Sequence, residues 1–271
     1  MQRNTEDRRF DFGKNWQRFA AGVTEAHVEE ATKALAKTLG RDSLAGLTFL
    51  DVGGGSGLHS LAARNLGAVV QAFDYDAHSV ACMRSMHDRF RAADSDWKIE
   101  QGSALDATYL ESLGHFDIVY SWGVLHHTGD MWRALDLVEQ RVKPTGCLFL
   151  ALYNDQGMRS RIWKLIKRKY VESSRAGKQA ILGTARGYFE TRDALVRLIQ
   201  AKNPLPAKRT TKERGMEQTT DLVDWVGGYP FEVSTPDEIF EFYRARGYRL
   251  EHLKTCGGGL GCNEFVFRRE G

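Results

Sequence analysis

The segment that most constrains this chain runs Phe49-Leu50-Asp51-Val52-Gly53-Gly54-Gly55-Ser56-Gly57. Leu47 to Val52 has the apolar composition of a short buried strand, and Leu58 to Leu66 has that of a helix. Between them lie four glycines. Glycine lets the backbone turn tightly and lets a ligand approach the main chain. The helix that follows leaves unpaired N–H groups at its first turn. Two phosphate-binding patterns do not fit this turn. The dinucleotide fingerprint needs Gly-x-Gly-x-x-Gly, but its third position here is Leu58, and Gly57 comes one residue early. A Gly-x-x-x-x-Gly-Lys loop is also absent.

Strand-like and helix-like runs alternate on both sides of the turn. Val23, Val28, Ala31, Leu35 and Leu39 recur at helical spacing before Gly40. Ala68 to Phe73 forms a second strand ending at Asp74, and Asp76 can cap a helix from Ala77 to about Phe90. Trp97 to Glu100 and Phe116 to Ser121 supply strands three and four. A helix spans Met131 to Val142, closed by Lys143-Pro144-Thr145-Gly146, and Cys147 to Tyr153 is strand five. Thr235-Pro236-Asp237-Glu238 opens a further helix with a capping-box pattern and proline at the first helical position. Tyr248 to Thr255 and Asn263 to Arg268 follow as strands, and their short glycine-rich link favours an antiparallel pair. Such an order predicts an α/β fold. It is a doubly wound, mostly parallel seven-stranded sheet with an antiparallel last strand and a helical insertion after strand five.

Four segments follow from this reading: an N-terminal arm and helix over 1–44, a Rossmann-like core over 45–154, a basic helical insertion over 155–221, and the C-terminal part of the core over 222–271. Hydrophobic residues make up 42% and charged residues 27%, enough for an ordinary globular core and against disorder. Cys147 to Leu152 is among the longest apolar runs, far short of the roughly 20 residues that cross a bilayer. No apolar segment follows the charged first residues, so a secretory leader is not expected and the cytoplasm is the expected compartment. Cys82, Cys147, Cys256 and Cys262 show no metal-ligand spacing, and packed reduced thiols are expected; no metal is. A net charge of +3 is too mild to argue for nucleic acid.

With these elements in order, the chain resembles the class I, Rossmann-like S-adenosylmethionine-dependent methyltransferases, and is generally similar to the ubiquinone-pathway O-methyltransferases. The resemblance covers residues 45–154 with the last helix and two strands. It rests on the acidic Asp51 before Gly53-x-Gly55-x-Gly57, on Asp74 closing strand two, and on the stretch Phe116 to His127, FDIVYSWGVLHH. It implies S-adenosyl-L-methionine as cofactor, with Asp74 holding both ribose hydroxyls, a task that suits one ionised carboxylate. Tyr75 stands where a side chain packs on the adenine. Ser103 and Ala104 stand where the family often has Asp-Ala, so Ser103 departs from the usual acid. Main chain near Ser121, Trp122 and Gly123 is expected to meet the methionine part. Asn15 and Trp16, in the aromatic stretch Phe10 to Phe19, would lie across the cofactor or pack on the sheet edge.

Methyl transfer is an in-line displacement in which the protein mainly binds and aligns. An oxygen or nitrogen acceptor can also need to lose a proton, a task that suits histidine. His126 and His127 lie just past strand four, and one of them as general base is the mechanistic expectation; capping or packing by one of them is the competing one. The ubiquinone-pathway enzymes carry Glu where this chain has His126, which departs from any metal requirement of that family. Tyr153 ends strand five on the active face, the turn Cys256 to Glu264 should overhang the same side, and Tyr229 and Glu232 are candidates for an acceptor pocket.

In the insertion, Arg159, Arg161, Lys164, Lys167, Arg168 and Lys169 interleave with Ile162, Trp163, Leu165, Ile166 and Tyr170, and Lys202, Lys208, Arg209, Lys212 and Arg214 come later. Three readings stand: a lid over the acceptor, a segment at a membrane surface admitting a lipid-linked acceptor, or a solvated face or dimer contact. The expected activity is methyl transfer to a small molecule, most readily at oxygen, with an anionic or lipid-linked acceptor in view and the oligomeric state open. An RNA or protein methyltransferase steered by the basic insertion, and a noncatalytic cofactor-binding protein, are the alternatives.

Overall fold

The computed structural model describes residues 9–200, 218–259 and 261–271. The leader expectation on residues 1–8, the basic side chains Lys202, Lys208, Arg209, Lys212 and Arg214, and Leu260 of the glycine-rich turn lie outside them. The chain divides into two compact units. One comprises Asp11–Ser160 and Phe231–Gly271; the other comprises Arg161–Pro230 with the described residues Arg9 and Phe10. The insertion read as 155–221 in the sequence corresponds to Arg161–Pro230 here, six and nine residues further on, and Arg9 and Phe10 of the N-terminal arm group with it.

The larger unit is built on a sheet of β1 (Thr48–Val52), β2 (Val69–Asp74), β3 (Trp97–Gln101), β4 (Phe116–Trp122), β5 (Val142–Tyr153), β6 (Tyr248–Lys254) and β7 (Cys262–Arg269). Its order is β3-β2-β1-β4-β5-β7-β6. The first five strands pair in parallel, and β7 is antiparallel to both β5 and β6. Strand periodicity sends alternate side chains to opposite faces. Phe49, Ile118 and Phe149 pack with Leu35, Leu39, Leu61 and Met83 of α2 (Glu25–Leu39), α3 (Leu58–Asn65) and α4 (Ala77–Arg91). Leu50, Val119, Leu148, Phe265 and Phe267 face the other way, against Leu135, Val138, Ile239 and Tyr243 of α6 (Met131–Glu139) and α10 (Pro236–Arg244).

Three elements differ from the sequence expectation. The aromatic stretch holds a helix, α1 (Gly13–Ala21), and α5 (Ala107–Ser112) lies between β3 and β4. β5 begins at Val142, five residues before Cys147, because Val142 already pairs with Phe116. The register then shifts, and Thr145 takes a φ of 60° within a stretch that the proline and glycine suggested was only a helix stop. The capping box of α10 is formed as expected, with Thr235 N–H donating to Glu238 at 2.8 Å.

Among its described residues, the smaller unit has helices as its regular structure. α7 (Met158–Glu172) carries the chain into it, followed by α8 (Arg175–Ile199) and α9 (Gln218–Gly227). Trp163 stacks on Phe189 with centroids 5.5 Å apart and meets Trp225 edge-on at 5.8 Å. Lys167 is fully buried: its ammonium sits 4.3 Å over the Trp225 ring and donates to the Trp225 carbonyl. Phe10 packs against Tyr170, and its N–H donates to the Tyr229 carbonyl at 2.9 Å. No helix among the described residues is long and apolar enough to cross a membrane.

Candidate functional site

The carboxyl ends of β1, β2 and β4 converge on one rim of the larger unit, and the glycine turn stands there. Gly53 has φ 76°, and a side-chain carbon built on it would lie 2.3 Å from Val124 in the turn after β4. Gly55 has φ 54°, and the corresponding carbon would lie 3.1 Å from the Trp16 ring. Both positions therefore need glycine for conformation and for space. The α1 helix brings Trp16 over the turn, and Asn15 beside it is buried. That placement depends on Asp76, which accepts the Gly13 N–H at 2.9 Å with one oxygen and caps α4 through the His78 N–H at 2.8 Å with the other.

Asp74 projects from the end of β2 into the same rim. One oxygen accepts the Gly55 N–H at 3.0 Å and the other accepts the Asp76 N–H at 2.9 Å. Burial raises its pKa to about 6, opposed by those backbone donors. Asp51 lies deeper, 2% exposed, and accepts the Ser60 hydroxyl at 2.5 Å. Burial pushes its pKa up to about 7. Its role in the structure is to join β1 to α3 beneath the turn. Tyr75 is exposed beside Asp74. Ser103 accepts the Leu105 N–H at 3.2 Å, Ala104 is buried, and Asp106 caps α5 through the Tyr109 N–H.

Ser121 is buried and donates to the Val52 carbonyl at 3.1 Å, tying β4 to β1. Trp122 donates through its indole N–H to Glu264 at 3.2 Å. Around Gly123 (φ 75°) a side-chain carbon would meet nothing within 4 Å, so the main chain borders open space there. The glycines, one free-facing backbone stretch and a half-buried carboxylate at adjacent strand ends fit a nucleoside with two vicinal hydroxyls. Asp74 would hold the hydroxyls, with Tyr75 and Ala104 at the base.

The histidine turn (Leu125–His127) follows, and its two imidazoles differ sharply. His126 is fully buried. Its Nδ1 accepts the Tyr153 N–H at 3.3 Å, and its carbonyl accepts the Glu232 N–H at 3.0 Å. Its ring lies 4.0 Å from that of Tyr153. His127 is half-buried, 4.8 Å from the Phe12 ring and 5.5 Å from that of Tyr153. Phe231 packs on Tyr153 at 5.3 Å. The sequence offers Phe231 only as one of the aromatic residues of 224–232 that could line an acceptor pocket, and Phe12 only as part of an aromatic cluster.

Glu232 has a structural task. Its carboxylate accepts the Gly129 N–H at 3.0 Å and the Met131 N–H at 3.1 Å, closing the first turn of α6. Tyr229 belongs to the smaller unit, and His126, His127, Tyr153 and Glu232 belong to the larger. The glycine-rich turn does fold onto the end of β5: Asn154 N–H donates to the Gly261 carbonyl at 3.1 Å, and Asn263 donates to the Asn154 side chain at 3.0 Å. All four cysteines are free thiols. Asp11, Asp76 and His78 bring their ligand atoms within 4.8 Å of one another. Their carboxylates are already engaged by Lys14, Gly13 and His78.

The strand order with one reversed strand, and a glycine turn facing a carboxylate at the end of β2, define the class of Rossmann-like methyltransferases. More particularly, the chain belongs to the methyltransferase-domain family, whose model matches residues 23–203 and whose members take their methyl group from S-adenosylmethionine. It is 34% identical over 114 residues to the ubiquinone biosynthesis O-methyltransferase of Xanthomonas campestris pv. campestris, over 42% of this chain and 46% of that protein. The enzyme of the same name from Brucella ovis is 31% identical over 111 residues, 41% and 43% of the two chains. The chain thus spans about half the length of the curated relatives it matches. Among solved structures, magnesium protoporphyrin IX methyltransferase from Synechocystis PCC 6803 with bound SAH superposes with a TM-score of 0.56 at 13% identity, covering 95% of this chain and 94% of that one. A chain from the complex of the Haloferax volcanii Trm112 methyltransferase activator with a methyltransferase gives 0.56 at 15% identity, covering 97% and 99%. At such identities the likeness is one of fold.

Proposed function

We propose that the chain transfers the methyl group of S-adenosylmethionine to an oxygen of a small-molecule acceptor, with His127 as general base and the cytoplasm as its compartment. The observation that carries this reading is the pairing of two features on one rim: the Asp74–Gly55 cradle and, across the Gly53–Val124 contact, a half-buried histidine. The cofactor supplies an electrophilic methyl on a sulfonium leaving group. Asp74 accepts the ribose hydroxyls, Asn15 and Trp16 close over the glycine turn and exclude water, and main chain at Ser121, Trp122 and Gly123 lines the methionine end. His127 takes the proton of the acceptor hydroxyl as the oxygen forms its new bond to carbon. His126 acts as a positioning residue: its hydrogen bond with the Tyr153 N–H and the Glu232 bond to its carbonyl fix the turn that carries His127. Tyr153 and Phe231 form an aromatic wall that suits a flat acceptor.

The O-methyltransferase relatives support the choice of oxygen. The test is incubation of the full chain with labelled methyl donor and a panel of phenols, carboxylic acids and amines. O-methylated product from a phenol or acid is expected. Label appearing only on amines, or only in added RNA or protein, would overturn the oxygen assignment.

A further inference from the structure

The α7 helix presents two faces of unlike chemistry. Ser160, Trp163, Lys167 and Tyr170 are buried, spaced so that they share one side of the helix. The opposite side is exposed and begins with a stripe of apolar residues: Met158 is 66% exposed, Ile162 49% and Leu165 54%. Their spacing of four and then three residues aligns them along the axis. Arg161, Lys164 and Arg168 run along one border of the stripe, Arg159 stands on the other, and Lys169 continues it. All five are exposed, and Glu172 at the last turn is the helix's single acidic residue.

A water-facing helix side normally carries polar residues in its middle, and here the order is inverted. An apolar centre between cationic borders is the arrangement with which a helix lies flat on an anionic lipid surface: apolar side chains enter the acyl boundary, and the long basic side chains reach the headgroups. The helix is also held rigidly from behind, because Lys167 is committed to Trp225 and Trp163 to Phe189. We propose that the outer face of α7 docks the protein on an anionic phospholipid surface. The charge pattern selects this occupant: a second copy of the chain would oppose one basic border to another. The proposal does not depend on the assignment of acceptor or base, because its readout is binding.

The test is co-flotation of the full chain with vesicles of phosphatidylcholine alone and of phosphatidylcholine mixed with phosphatidylglycerol. Binding to the mixed vesicles only is expected, and it should weaken as salt is raised. Replacing Arg161, Lys164 and Arg168 by Glu should weaken it by roughly 100-fold or more, at about fivefold per basic residue near an anionic surface. The pair Ile162→Ser and Leu165→Ser should abolish residual binding at high salt. Both variants alter exposed positions, so melting temperature should stay near that of the parent and cofactor affinity should be unchanged. No flotation, or flotation indifferent to both variants, overturns the proposal. So does a dimer in light scattering that the serine pair dissociates without any vesicle binding, or RNA retention that the charge reversals abolish and the serine pair leaves intact.

Discussion

In the proposed reading, Asp74 carries binding and His127 carries chemistry. Asp74→Ala should weaken S-adenosylmethionine binding by roughly 10- to 100-fold, the value of hydrogen bonds to a charged acceptor; titration calorimetry reads this directly, and unchanged affinity would refute the ribose role. His127→Ala should leave that affinity intact and lower kcat by roughly 100- to 10,000-fold. His126→Ala should instead destabilise the fold by about 2 kcal/mol or more, because it opens a cavity at a fully buried ring and removes the acceptor of the Tyr153 N–H. Should single-turnover rates of His127→Ala match the parent, the base assignment fails. Asp74 and the glycines were legible in the sequence because their chemistry is local: a carboxylate ending a strand, a turn that needs positive φ. The difference in burial between His126 and His127 was not, because it depends on contacts with Tyr153 and with the chain near Glu232, far away in sequence.

Glu232 illustrates the same limit for whole elements. Its place in an aromatic and acidic stretch leading back to the sheet suggested a pocket residue, and its carboxylate closes α6, some hundred residues earlier. Glu232→Ala should cost about 1–2 kcal/mol, as loss of a helix cap does, and lower the melting temperature. The acceptor KM should stay unchanged, and a large rise would return Glu232 to the pocket. The strand and helix order of the core followed from apolar periodicity, since each element spans several residues of one pattern. The α1 helix did not, because four aromatics among ten residues look like a packed arm, and the helix is docked by partners distant in sequence, among them Asp76 receiving the Gly13 N–H and Arg89 donating to the Ala20 carbonyl. The early start of β5 was hidden by Pro144 and Gly146, which signal a break and here occupy an irregular stretch of strand.

For the molecule as a whole, the two raised carboxyls predict opposite pH trends for folding and for cofactor binding. Asp51 and Asp74 titrate at about 7 and about 6 in the folded protein, against 3.8 for an unperturbed Asp. Between these values the folded state holds protons that the unfolded chain has lost, so their contribution to stability is greatest at low pH and declines as pH rises from about 4 to about 7. Thermal melts of the cofactor-free protein should show this slope, and Asp51→Asn should remove its upper part. Cofactor affinity should run the other way, falling below about pH 6 as Asp74 gains its proton. A pH-independent affinity from neutrality to pH 5 would contradict an ionised carboxylate at the ribose.

Gly53 and Val124 touch across the gap between two strand ends, with no room for one more methyl between them. The glycine turn proposed to seat the donor and the turn bearing His127, the proposed base, are thus a single mechanical part. A change at 124 that altered which molecules receive the methyl would also be felt by the grip on its carrier, so a lineage shifting its taste in acceptors would be pressed to do so from the Tyr153 and Phe231 side.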